Sequence, residues 1–147
     1  MPDVQLGQFD RLIEIVREKF PHLRIVVDHS EPDVHASADL KAQPGLLFDV
    51  NISLQCFDEL FLNAGELYIS WFPIDNADVF DKSVVAVLGL LSGSFRIVES
   101  YIGSAGVSAV LQRPAGNDWV TVCQTSSIDA LIPWPRRKRV LQNVRAA

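Results

Sequence analysis

A strict alternation between Phe48 and Cys56 constrains this chain most. Phe48, Val50, Ile52, Leu54 and Cys56 take every second position, with Asp49, Asn51, Ser53 and Gln55 between them. Successive side chains of a strand point to opposite faces, so this pattern makes one apolar face and one wet face. Leu67, Ile69 and Trp71 repeat it against Glu66, Tyr68 and Ser70, past a turn expected at Asn63-Ala64-Gly65. Residues 45–73 therefore read as two or three consecutive antiparallel strands with one solvated face.

Helices are expected on either side of this stretch. Phe9, Leu12, Ile13, Val16 and Phe20 recur at three- and four-residue steps, which predicts an amphipathic helix over Leu6 to Phe20 that lids the apolar face. Pro21 stops it. A second helix is predicted over Ala77 to Ser92, with Asp75 and Asn76 as N-cap candidates and Gly93 at its C-terminal end. Its stretch Val84–Leu91 is apolar on nearly all sides and must be covered on more than one face.

Leu23–Asp28 reads as a short strand, and Phe95–Ile102, Val107–Arg113 and Trp119–Thr125 as a later meander. Residues 29–44, polar and twice interrupted by proline, read as a long loop. The expectation is one α+β domain over residues 1–147. An antiparallel sheet of about six strands would carry the N-terminal amphipathic helix and the central apolar helix. Residues 133–147 would form a basic C-terminal segment.

The net charge of −5 conceals an asymmetry. Residues 1–135 hold 8 basic and 18 acidic side chains, net −10, whereas residues 136–147 hold five basic and no acidic ones. An acidic body makes nucleic acid an unlikely main partner and suits a basic protein better. No run approaches the ~18 apolar residues of a membrane span, so no membrane partner is expected. The N-terminal residues carry no signal-peptide pattern, and the expected compartment is cytoplasmic. Cys56 and Cys123 form no CxxC pair and read as buried small hydrophobes in strands.

Candidate chemistry is sparse. His29 and His35 lie in a segment with Asp28, Glu31 and Asp33, all possible metal ligands. Their spacing lacks the helical i, i+4 geometry that aims two rings at one ion, so a solvated loop is the simpler reading and no cofactor is expected. Asp49 and Glu99 are carboxylates placed inside strand patterns and worth locating. Neither Leu90-Leu91-Ser92-Gly93-Ser94 nor Gly103-Ser104-Ala105-Gly106 matches a nucleophile elbow or a phosphate loop. Aromatic residues Phe48, Tyr68, Trp71, Phe72 and Tyr101 could line an apolar pocket between sheet and helices. Trp134, set between Pro133 and Pro135 and followed by Arg136 and Arg137, has the composition of an interface hot spot.

In its order of helix, strands, helix, strands the chain is similar to the type III secretion chaperones, which are small, acidic and dimeric. That likeness rests on element order and on no motif. The resulting expectation is a small acidic protein-binding module without catalysis, chaperone- or immunity-inhibitor-like, with homodimerisation through Val84–Leu91 as one way to cover the second helix. The alternative is a small-molecule-binding domain or enzyme built on the aromatic pocket.

Overall fold

The computed structural model describes residues 2–30 and 34–144. Helix α1 (Pro2–Lys19) leads into a five-stranded meander of β1 (Val26–Asp28), β2 (Val34–Leu40), β3 (Val50–Gln55), β4 (Glu59–Ala64) and β5 (Leu67–Trp71). These strands lie side by side in chain order, each antiparallel to the next. Helix α2 (Ala77–Ser92) follows. Then come β6 (Arg96–Ile102), β7 (Ala105–Ala115), β8 (Asp118–Ser126), a short 3-10 turn (Ile128–Leu131) and β9 (Arg137–Leu141). The second sheet is ordered β8-β7-β6-β9 and is also antiparallel.

The α+β class and both helices agree with the sequence. The single sheet of about six strands does not, because the described strands number nine and divide between two sheets. One reason is β2, which occupies seven residues in the middle of the expected loop. Ala36, Ala38 and Leu40 alternate with His35, Ser37 and Asp39, and the three apolar residues are fully buried. Alanine and serine have low strand propensity, so the period is there but not the composition that advertises it. A second reason is β9, drawn from the basic segment and paired with β6. Cys56 also departs from expectation. With Phe57 it makes a turn at positive φ (51° and 72°) and is exposed.

The core lies where the alternation puts it. Ile52, Leu54, Leu60, Leu62 and Leu67 point to one face of the first sheet, and Phe9, Leu12, Ile13 and Val16 of α1 cover them. Asn76 caps α2 by accepting from the amides of Asp78 (3.0 Å) and Val79 (3.2 Å). Gly93, in the left-handed conformation, ends it. Within the apolar stretch of α2, Ala86, Val87, Gly89, Leu90 and Leu91 are buried, whereas Val85 is 58% exposed. The fold thus covers most of that helix and leaves one stripe open.

The two sheets meet at the edge of β5. Among the described residues no strand pairs with its outer edge, and an unpaired edge must be satisfied or shielded. Side chains of the second sheet do this. The Thr125 hydroxyl accepts from the Tyr68 amide (2.9 Å) and donates to the Tyr68 carbonyl (2.6 Å). The Glu99 carboxylate, only 1% exposed, accepts the Glu66 amide (2.6 Å) and the Tyr101 hydroxyl (2.9 Å). The Arg139 guanidinium stands 4.0 Å from it. A buried carboxylate is costly unless hydrogen-bonded and paired, and Glu99 is both. Gly65 is required beneath it. Its φ is +56°, and an added Cβ would come within 2.5 Å of Glu99 Oε2.

Asn143 makes a second tie. Fully buried, it accepts from the Leu47 amide (3.1 Å) and donates to the carbonyls of Gly45 (2.8 Å) and Leu91 (2.6 Å). One side chain after β9 thereby fastens the loop before β3 to the end of α2.

Burial, the hydrogen bond to Glu99 and the negative charge of Glu99 and Glu66 together hold the Tyr101 phenol above its ordinary pKa of 10.0. A raised folded-state value means the contribution is complete below the unfolded pKa and is lost as pH rises through the folded one. Denaturant midpoints measured from neutral to strongly alkaline pH should therefore fall more steeply above about pH 10 in the wild type than in Tyr101→Phe. Parallel curves would show that Tyr101 is not coupled to folding.

Candidate functional site

The open stripe of α2 floors a long apolar groove. At one end a cleft of about 410 Å³ lies between α2 and the second sheet, walled by Trp71, Val85, Phe95, Val120 and Val122 with Cys123 at its base. It shares Val85 and Phe95 with a neighbouring cleft of about 500 Å³ that reaches Phe20 and Leu88. That one shares Phe20, Ser92 and Ser94 with a third, of about 620 Å³, bounded by Leu47, Leu91 and Val144. The three run on from one another along α2.

Each wall has a local cause. Phe95 sits against α2 because its amide donates to the Gly89 carbonyl (2.9 Å) and because Gly89 has no side chain. An added Cβ there would come within 2.5 Å of the Phe95 ring. This gives a packing reason for a glycine in mid-helix. Val120 and Val122 are turned to the groove by a bulge in β8, where the pairing with β7 shifts between Leu111 and Gln112. Val85, Val120 and Val122 are 58%, 40% and 43% exposed, so the groove displays apolar surface rather than enclosing it. Of the charged residues along the first two clefts, Lys19, Lys82 and Arg113 are basic and Asp81 is acidic. The rim is cationic although the chain as a whole is acidic.

The aromatic residues singled out in the sequence do not converge. Trp71 lines the groove. Tyr68 lies on the wet face of the first sheet, stacked on Phe61 with ring centroids 5.1 Å apart. Phe72 is 62% exposed, Phe48 packs half-buried against the core, and Tyr101 is committed to Glu99. Trp134 is exposed, Arg136 donates to the carbonyls of Ala130 and Ile132, and Arg137 lies over the Tyr101 ring at 5.3 Å. His29 is exposed after β1, and His35 in β2 packs on Phe57 at 4.6 Å. Glu31 and Asp33 lie outside the described residues. Asp28 is occupied by the Ser30 hydroxyl and amide (2.6 and 2.8 Å), which lower its pKa. Among the described residues no three His, Cys, Asp or Glu side chains come together to hold a metal. Asp49 is exposed beside Lys41 and does not share a surface with Glu99.

Sequence reasoning missed the groove because its far wall comes from β8. Val120 and Val122 are two residues apart in a stretch whose side chains are mostly exposed, so nothing local marks them as a site. The one legible signal was the excess of apolar residues on α2.

The chain matches no family model, no curated protein and no solved structure. The groove's own chemistry therefore carries the functional reading.

Burial pushes the Cys123 thiol up to about 11, so it stays protonated at neutral pH and is a poor nucleophile. Cys56 is exposed on its turn. In a thiol-labelling experiment near pH 8 the native protein should take one label quickly, at Cys56, and a second much more slowly, at the half-buried, protonated Cys123. Equal rates at both would show that burial does not hold the Cys123 thiol up.

Proposed function

We propose that this protein is a non-catalytic binding module whose groove along α2 takes an apolar segment of a partner protein flanked by acidic residues. The observation that carries the reading is the combination of an elongated, exposed apolar floor and a cationic rim. Contiguous exposed apolar surface bordered by polar residues is the mark of an interaction site. A segment laid along it would bury Val85 and Leu88 against its own apolar side chains, in the manner of a helix or strand in a groove. Lys19, Lys82 and Arg113 select its charge.

The acidic body suggested a basic partner, but net charge is an average over the whole surface. Screening limits a charge to roughly 8 Å at physiological ionic strength, so the rim governs the groove. The base of the groove offers a protonated thiol among apolar side chains, a lining that suits binding. Self-association through Val84–Leu91 would use the same surface, and it would set two cationic rims against each other.

A random peptide library selected on the protein and counter-selected on Val85→Asp tests this. Enriched peptides should combine large apolar residues with Asp or Glu, and Val85→Asp should weaken them at least about tenfold by placing a charge in the apolar floor. Enrichment of Lys- or Arg-rich peptides, or binding indifferent to Val85→Asp, would overturn the reading. So would a wild-type dimer that Val85→Asp makes monomeric while no peptide binds, since the occupant would then be a second copy.

A further inference from the structure

We propose that the crossover from β8 to β9 is a docking surface for an anionic phospholipid bilayer. Ile128, Leu131 and Trp134 are 82%, 83% and 64% exposed, and they fall within seven residues of one another. The segment is built rather than loose. The Ser127 amide donates to the Val107 carbonyl (2.9 Å), and the Ala130 and Ile132 amides close the 3-10 turn (3.1 Å each). Arg136 donates to the carbonyls of Ala130 and Ile132, which fixes a guanidinium beside the apolar tips. Arg137, Lys138 and Arg139 follow on β9, all exposed, Arg137 over Tyr101 and Arg139 beside Glu99, on a strand that is the edge of its sheet among the described residues.

The occupant follows from shape and charge. Protruding aliphatic side chains need a surface that yields to them, and tryptophan settles at the headgroup level of a bilayer. Neither apolar insertion nor a basic cluster is sufficient alone, and this segment presents both signals side by side. The acidic remainder of the chain, 8 basic and 17 acidic side chains over residues 1–126, would be repelled by an anionic surface and so would orient the molecule with this tip toward it. Within the tip Asp129 is the one acid, and the five basic residues of 136–147 follow it. A second copy fits less well, because the α2 groove that could receive the tip is itself rimmed by cations. Nucleic acid would use the cations but gives Ile128 and Leu131 no role. Among the described residues no helix is long and apolar enough to cross a membrane, and contact with a bilayer surface needs none. The sequence-based expectation of no membrane partner is supported as to crossing by a helix, and a surface contact departs from the rest of it.

The test uses the full chain with phosphatidylcholine vesicles, with and without phosphatidylserine, followed by sedimentation and tryptophan emission. The protein should sediment with the phosphatidylserine vesicles only, with a blue-shifted emission that Trp134→Ala removes while Trp71 and Trp119 remain. Lys138→Ala should weaken binding about fivefold, and the uncharged change Leu131→Ser should weaken it without altering the salt dependence. Absence of sedimentation, equal binding to the neutral vesicles, or a shift that survives Trp134→Ala would overturn the proposal. Displacement of the protein from vesicles by a DNA oligonucleotide, with no emission shift on vesicles, would do so too and assign the cations to nucleic acid.

Discussion

The capping of the β5 edge by side chains of the second sheet is the interaction on which this structure depends. A five-stranded meander ends in an edge that must be paired, covered or charged. Here Thr125 and Glu99 reach across and take the free groups of Tyr68 and Glu66. Glu99 is the costlier of the two, because a buried carboxylate that lost its partners would cost several kcal/mol. Its two hydrogen bonds and the nearby Arg139 let it stay, and Gly65 makes room for it. The charge inside a strand pattern therefore joins the two sheets, together with Thr125.

The groove is a consequence of that junction. Once β6 is fixed against the β4–β5 turn, β8 passes alongside α2 and Phe95 fills the space above Gly89. The sheet covers one side of α2, α1 meets another, and the stripe marked by Val85 stands between α2 and β8. Asn143 holds the far end of the groove by fastening Leu91 to residues 45–47. Structure and surface chemistry thus have the same origin. The second sheet closes one edge and leaves one apolar face unmatched.

Legibility in the sequence followed the range of the interactions. The 3.6-residue period of α1, the caps of α2 and the alternation over Phe48–Cys56 are local, and each appears in the structure close to where it was read. The strand in residues 34–40 is obscured because its buried positions are two alanines, a serine and only one leucine, which gives a period with little hydrophobic weight. Cys56 continued the alternation by one residue into what is a turn, since its period alone does not say where a strand stops. The aromatic pocket was inferred from composition, and the register scattered its members over two sheets and several faces. Glu99 stands out in the sequence by its position. Of its three partners only Tyr101 is local, whereas Glu66 and Arg139 lie 33 and 40 residues away and only the fold joins them.

The central claim is that the α2 groove is a binding face for an acidic apolar segment. The most direct measurement places a photo-cross-linking amino acid at position 85 in cells producing the full chain, with position 68 as the control on the opposite sheet face. Mass spectrometry then identifies what is joined there. The account predicts adducts at position 85, absent at 68, that map to segments of another protein combining apolar residues with Asp or Glu. Adducts only to a second copy of this chain, or the same adducts from both positions, would contradict it.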